Sequence, residues 1–442
     1  MAQHRVVILG GGFGGLYAAQ ALKKAPVDVT LIDHRNFHLF QPLLYQVATG
    51  SLSPGEIAAP LRGVLSKQKN TRVLLGEVVD IDPAQKFVIL KDSERIPYDS
   101  LIVATGSQSN YFGHNGWAVW APSLKSVEEA TAIRHKILLA FEAAERIENP
   151  EERRVWLTFV IVGAGATGVE LAGALGEIAR YTLKNDFRSI NPADARIIVV
   201  DGGTRVLAAY PEDLSKKAEQ ALVRLGARVR TGLMVTCIDA DGVTLKNKDG
   251  KEEHIASHTV IWAAGVGPSD FAKTLAQRTS AGAERGRIKV TPQLTIPNYP
   301  DIFVVGDIAY SLDQHGKPLP GVAQVAMQGG SYAAKTILKR VRGNAGQPAF
   351  HYFNKGDLAV IGRGKAVANV FGLHLAGLPA WLVWVFIHLL YIVEFQDRLL
   401  VLLQWGFLYL TYNRGALLIT GKAAEASVSG AELGKAVAAK SE

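Results

Sequence analysis

The stretch His4-Arg5-Val6-Val7-Ile8-Leu9-Gly10-Gly11-Gly12-Phe13-Gly14-Gly15-Leu16 decides the fold. Its apolar, β-branched run reads as a strand that feeds a glycine loop. Gly10, Gly12 and Gly15 stand at GxGxxG spacing, and residues 16–23 continue as a helix. Each glycine has its own task. The first permits a tight turn, the second lets a pyrophosphate approach the backbone, and the third lets helix and strand pack closely. The helix N-terminus adds unpaired N–H groups and the positive end of its dipole. A second strand, residues 27–32, ends at Asp33, the acid expected on a ribose hydroxyl. Strand, loop, helix and acid in this order predict a parallel α/β dinucleotide-binding unit.

The pattern recurs. Residues 158–162 form an apolar strand, Gly163-Ala164-Gly165-Ala166-Thr167-Gly168 repeats the spacing, and Val169-Glu170-Leu171 opens a helix. The following strand, residues 196–200, ends at Asp201, with 181–195 as an extended helix and loop. Matching strands end in Ala104-Thr105-Gly106 and Ala263-Ala264-Gly265, small-residue turns that let backbone approach a ligand. Two such units imply two dinucleotides, one a fixed flavin and one an exchangeable nicotinamide. A further strand ends in Gly306-Asp307, where the carboxylate can accept a hydrogen bond from the ribityl chain of FAD.

Other segments leave alternatives open. Residues 34–50 are too aromatic and too polar at once for a plain linker; they line a cofactor or form a packed loop. Pro42 argues against an unbroken helix there. Strands are expected over 73–82, which includes Val78, and over 87–90, with a long helix over 127–147. Gln324 and Gln328 share one helical face. They orient a carbonyl ligand or are simply solvated.

The chain has 442 residues, enough for two or three cores. Its net charge of +8 is scattered, which argues against nucleic acid and for an anionic lipid surface. Cys237 is the single cysteine, so an intramolecular disulfide, a CxxC pair and a cysteine-rich metal site are excluded. We expect it to be a buried strand thiol. No metal site and no secretory signal are expected.

Near the C-terminus, residues 380–395 are almost wholly apolar, shorter than the roughly 20 a spanning helix needs. Residues 399–414 resume the pattern. Trp381, Trp384, Tyr391, Trp405, Tyr409 and Tyr412 prefer interfaces. Two helices lying in the membrane surface are expected, with Arg398, Arg414 and Lys422 at lipid headgroups. Half a dozen large side chains in lipid, at about 1.5–3 kcal/mol each, give attachment on the order of 10 kcal/mol. A buried dimer interface or core helix pair is the alternative. A mobile tail is expected over 423–442.

Taken together the chain resembles the type II NADH:quinone oxidoreductases. The marks are His38-Leu39-Phe40-Gln41-Pro42-Leu43-Leu44-Tyr45-Gln46-Val47-Ala48-Thr49-Gly50, Ala323-Gln324-Val325-Ala326-Met327-Gln328 and Arg398-Leu399-Leu400-Val401-Leu402-Leu403-Gln404-Trp405. The resemblance implies an α/β fold of two Rossmann-like domains, for FAD and NAD, plus an amphipathic-helix membrane anchor. The expected division is an FAD domain at 1–125 and 289–350, an NADH domain at 126–288, an anchoring and dimerisation region at 351–422, and the tail.

Non-covalent FAD is expected at Gly10, Gly12, Phe13, Gly14, Gly15, Asp33, Val78, Ala104, Thr105, Gly106, Asp307 and Gln324. NADH is expected at Gly163, Gly165, Gly168, Glu170, Asp201 and Gly265. The resemblance makes Gln324 and Gln328 a flavin-and-quinone motif and puts Glu170 near the nicotinamide–flavin contact. Glu170, Gln324 and Gln328 are the expected catalytic residues, although Glu170 equally suits a role complementing the helix dipole, and Lys365 either reaches the quinone headgroup or is simply solvated. It implies hydride transfer from NADH to FAD and two-electron reduction of a membrane quinone without proton pumping. A homodimer on the cytoplasmic side of the inner membrane follows. An NADPH-preferring quinone reductase, or an apoptosis-inducing-factor-like flavoprotein with a binding role, is the alternative.

Overall fold

A computed structural model of the chain describes residues 3–344 and 346–420. It divides into two units. One holds the residues up to Leu39 together with Ala58–Ser109 and Val266–Lys355. The other holds Phe40–Ile57, Asn110–Gly265 and the residues from Gly356 on.

The first unit is built on a six-stranded sheet in the order Thr295–Ile296, Tyr299–Val304, Ser100–Val103, His4–Leu9, Val27–Asp33, Thr71–Leu75. All neighbours run parallel except the first pair. Val6 to Leu9 are buried throughout, as a strand covered on both faces must be. The glycine-loop helix Phe13–Ala21 packs on Ala323–Val341. A Cβ at Gly330 would stand 2.0 Å from the Gly14 carbonyl oxygen, so these helices meet backbone to backbone. A core of Leu9, Ile32, Ile81, Val88, Tyr98, Phe271 and Leu275 ties the sheet to the meander Val78–Asp82, Phe87–Leu90, Arg95–Pro97.

The second unit carries a four-stranded parallel sheet, Ala227–Thr231, Arg196–Asp201, Thr158–Val162, Thr259–Trp262. The helix Ala166–Glu177 follows its glycine loop and passes into a π turn, Ile178–Thr182. The long helix runs Val127–Arg146, capped by Ser126, whose hydroxyl accepts from Glu129 N. A second helix, Pro150–Trp156, capped by Asn149, was not expected from the sequence.

Pro42 sits in a 3₁₀ turn, Gln41–Leu43, ahead of the short helix Leu44–Ala48. Strands Asp357–Gly362, Lys365–Val370 and Leu373–Gly377 form an antiparallel sheet, followed by helices Leu378–Tyr391 and Phe395–Thr411.

Between those two helices the backbone opens at Ile392, whose carbonyl accepts from Arg398 Nε at 2.6 Å. Glu394 lies in this break as the N-cap of the second helix. No helix among the described residues is long and apolar enough to cross a membrane.

Two expectations need correction. Cys237 does lie in a strand, Met234–Ile238, but its side chain is exposed. That strand is the edge of a three-stranded sheet, and a register shift between Val235 and Cys237 breaks its inside–outside alternation. Arg414, expected at lipid headgroups, is buried and paired with Glu177 at 3.2 Å. Lys422 and the tail 423–442 lie outside the described residues.

Candidate functional site

The two glycine loops repeat each other in detail. Gly10 and Gly163 have φ of +98° and +109°, a region closed to most side chains. A Cβ at Gly10 would meet the Ala104 oxygen at 2.4 Å, and one at Gly163 the Ala263 oxygen at 2.7 Å. At Gly15 and Gly168 a Cβ would stand 1.8 and 1.9 Å from the carbonyl oxygens of Gly10 and Gly163. At Gly12 and Gly165 it would meet nothing within 4 Å. First and third glycines are therefore required by the fold, whereas the middle ones border open space. That is the cradle a pyrophosphate fits.

The acids match as well. Asp33 accepts from Gly11 N at 2.5 Å and from Arg35 N at 2.7 Å. Asp201 accepts from Ala164 N at 2.7 Å and from Gly203 N at 2.6 Å. Each carboxylate joins the glycine loop to the turn after its own strand. Each is thus held rigidly at the strand end, where a ribose would sit. Arg205, close to Asp201 in sequence, forks onto the carbonyls of Tyr210 and Ala208, both at 2.8 Å.

In the first unit Asp307 accepts from Ser107 Oγ at 2.6 Å, and Thr105 Oγ1 meets Ser269 Oγ at 2.7 Å. Gly106 has φ +70° and no atom within 4 Å of a would-be Cβ. Val78 opens its strand opposite Leu90. Gly265 has φ +84°, and Phe112 and the Asn110 oxygen fill its side-chain space.

His38 went unassigned in the sequence although it opens a quoted motif. Its Nδ1 donates to the Gly11 oxygen at 2.9 Å, and its ring meets Phe13 edge-on at 5.0 Å. Burial lowers its pKa, so the ring is neutral and Nε2 is an acceptor. That buried Nε2 has no partner among the described residues. The open Gly12 cradle, the held acid and this unpaired acceptor together fit FAD.

Gln324 and Gln328 do share a face of Ala323–Val341, and neither is simply solvated. Gln328 exchanges two hydrogen bonds with the Phe353 backbone, at 2.9 and 3.0 Å. Gln324 Oε1 accepts from Lys355 N at 3.1 Å. The pair stitches the 353–355 segment to the helix.

A cavity of about 580 Å³, its open mouth included, lies within the second unit. Tyr45, Gln46, Glu170, Trp381, Trp384, Trp405, Tyr409 and Arg414 are among its lining; Gln324, Gln328 and Lys365 are not. Glu170 reaches it from the second turn of the helix after the second glycine loop, where its one hydrogen bond among the described residues is a long 3.5 Å from Val360 N. Burial pushes its carboxyl up to about 8.

The two Nη atoms of Arg414 donate to Thr49 Oγ1 and the Thr49 carbonyl, both at 3.1 Å, to Ser51 Oγ, to the Ala174 carbonyl at 3.3 Å and to Glu177, while its buried Nε has no partner among the described residues. The cavity therefore combines aromatic walls, a protonated carboxyl, Arg414 paired with Glu177, and Arg363 stacked over the Tyr409 and Tyr412 rings. It suits an uncharged, planar, oxygen-bearing ligand.

The chain is similar to known proteins over most of its length. Residues 4–330 match the family model for pyridine nucleotide-disulphide oxidoreductases. Two curated proteins of Mycobacterium tuberculosis are close relatives. Type II NADH:quinone oxidoreductase Ndh is 46% identical over 428 residues, covering 96% of this chain and 91% of that protein. Type II NADH:quinone oxidoreductase NdhA is 47% identical over 429 residues, covering 95% and 90%.

The fold is also that of NDH2 from Plasmodium falciparum in complex with NADH. That likeness has a TM-score of 0.87 at 20% identity and covers 94% of this chain and all of the other. With one cysteine the chain has the family's fold without an internal disulfide. It belongs to the pyridine nucleotide-disulphide oxidoreductase family and, within it, to the type II NADH:quinone oxidoreductases.

Proposed function

We infer that the two glycine loops divide the ligands of this NADH:quinone oxidoreductase between them. FAD is held at Gly10, Gly12, Phe13, Gly14, Gly15, Asp33, Ala104, Thr105, Gly106 and Asp307, with Val78 and Gln324 beside it. NADH is held at Gly163, Gly165, Gly168, Asp201 and Gly265. The enzyme takes electrons from NADH through FAD to a quinone and does not pump protons. FAD, when bound, supplies the two-electron chemistry that links the hydride donor to the quinone. The protein's task is to bind, orient and protonate.

The observation that carries the residue assignment is the cavity lined by Glu170. Quinone reduction consumes protons, and Glu170 is a carboxylic acid that keeps its proton at neutral pH. We place the quinone ring among the aromatic walls, with Glu170 as its proton donor. Gln324 and Gln328 serve the same half-reaction by holding the 353–355 segment, and Lys365, outside the lining, has no part in holding the ring.

Asp201, an anion at the strand end, favours NADH by repelling a 2′-phosphate. Arg205 cannot compensate, since its guanidinium is already bound to carbonyls. The protein binds the cytoplasmic face of the inner membrane through its last two helices, on anionic lipid, as a homodimer.

The test compares acceptors. NADH oxidation by the purified flavoprotein is followed with a short-chain quinone and with ferricyanide. Gln324→Ala and Gln328→Ala should each lose more quinone than ferricyanide activity, by about fivefold in the ratio for the first and about thirtyfold for the second, at on the order of 1 kcal/mol per hydrogen bond to the 353–355 backbone. Equal losses would remove both residues from the quinone half-reaction.

A further inference from the structure

We propose that Tyr45 donates a hydrogen bond from its phenol to a carbonyl oxygen of the quinone, with Gln46 and Trp405 as positioning residues that aim it. This rests on the cavity being the quinone site.

An indole N–H can only donate. Trp405 Nε1 lies 2.7 Å from Gln46 Oε1, and both residues are buried. The carboxamide of Gln46 is therefore fixed with its oxygen toward the indole. Its NH₂ end must face the other way, and it reaches Tyr45 Oη at 2.9 Å. An amide nitrogen has no lone pair to accept with. Tyr45 Oη is thus the acceptor in that contact, and its own hydrogen has to be donated elsewhere.

Among the described residues the hydroxyl meets no second partner. A buried donor without an acceptor is costly. Tyr45 is 7% exposed and lines the cavity. Its hydrogen is left for whatever occupies that space.

The occupant's chemistry follows. It must present an acceptor, because Tyr45 and protonated Glu170 both offer hydrogens. It need carry no charge, because Arg414 is paired with Glu177 and the Arg363 guanidinium lies over the Tyr409 and Tyr412 rings. It must carry an apolar body, because Trp381, Trp405, Tyr409 and Tyr412 line the space. A quinone carbonyl meets all three conditions. Burial and the neighbouring carboxyls Glu170 and Glu177 keep the phenol protonated at any working pH. Tyr45 therefore binds and polarises the carbonyl, and the proton transferred on reduction is left to Glu170.

The experiment uses the purified holoenzyme with a short-chain ubiquinone and with menadione, reading KM, kcat and calorimetric Kd. Tyr45→Phe should raise quinone Kd and KM about three- to tenfold, the loss of one neutral hydrogen bond, with a smaller change in kcat. Trp405→Phe keeps a ring but removes the donor, which lets Gln46 turn over and draw the phenol hydrogen to itself. It should give a similar rise, and the double variant should be no worse than either single one. Gln46→Glu accepts from both neighbours and should also raise Kd.

A Kd within twofold of wild type for Tyr45→Phe, or additive effects in the double variant, would overturn the proposal. Ala174→Leu or Leu408→Phe, which add bulk to the lining, separate the two levels. If they abolish quinone binding while Tyr45→Phe does not, the cavity stands and the hydrogen bond falls. If neither bulky variant disturbs quinone binding in flavin-loaded protein, the cavity is not the quinone site and the proposal falls with it.

Discussion

A carboxyl with one long hydrogen bond and a pKa pushed up to about 8 titrates inside the working range of the enzyme. The unfolded chain releases this proton near the ordinary value of about 4.3. The folded chain keeps it to about 8. Between those limits the unfolded state binds fewer protons, so Glu170 makes stability fall as pH rises, by up to about 1.4 kcal/mol per pH unit. Above about 8 both states are ionised and the slope vanishes. Glu170→Gln should therefore gain stability over wild type between pH 5 and 8, read as urea midpoints. Parallel curves for the two proteins would contradict a buried neutral acid. Wild-type quinone turnover should also decline above about pH 8, as the donor proton is lost.

Asp201 sets a second residue-level outcome. Gly203 is the natural site for a cation, because the one atom a Cβ there would press, Asp201 Oδ1 at 2.9 Å, disappears with Asp201→Ala. The pair Asp201→Ala with Gly203→Arg should raise the NADPH/NADH ratio of kcat/KM by at least about tenfold, one charge repulsion exchanged for an attraction. An unchanged ratio would remove Asp201 from cofactor choice.

At the scale of elements, the strand–loop–helix units were legible because everything that defines them is local. Three glycines, an apolar strand and one acid lie within a few dozen residues, and each glycine's role is set by its own backbone. Gly15→Ala should block the fold, since its Cβ would stand 1.8 Å from a carbonyl oxygen. Gly12→Ala has open space and should fold, yet purify with less flavin by absorbance at comparable melting temperature. If both variants retain full flavin, the first loop is not the flavin's seat.

What the sequence hid is what joins distant positions. Trp405 meets Gln46 across 359 residues, and Arg414 reaches Glu177 across 237. No spacing rule connects such pairs. Arg414 looked like a headgroup ligand because its neighbours are aromatic, and Cys237 looked buried because its strand is apolar. In each case an edge or a tertiary partner decided the outcome, not local composition.

At the scale of the whole molecule, the last two helices have to satisfy two environments at once. Ala380, Trp384, Val401 and Trp405 are buried within their unit. On the other side Leu378, Leu382, Phe386 and Leu390 recur every four residues and are exposed, as are Phe395, Leu399, Leu403, Phe407 and Leu410. Two apolar stripes on helices too short to span fit the proposed surface anchor, and under that proposal the chain's +8 charge suits an anionic lipid. Truncation is a poor test, because removing these helices also removes Trp405 and Arg414 from the interior.

Point changes on the exposed stripe are cleaner. Phe386→Glu, Leu403→Glu and Leu410→Glu together withdraw about 5–9 kcal/mol of lipid burial, at about 1.5–3 kcal/mol per side chain. The triple variant should leave anionic vesicles in a flotation assay while keeping flavin and ferricyanide activity. The same positions changed to Lys separate the two forces. If apolar burial dominates, the Lys variant detaches as well; if charge dominates, it stays bound, and the stripe is not the anchor.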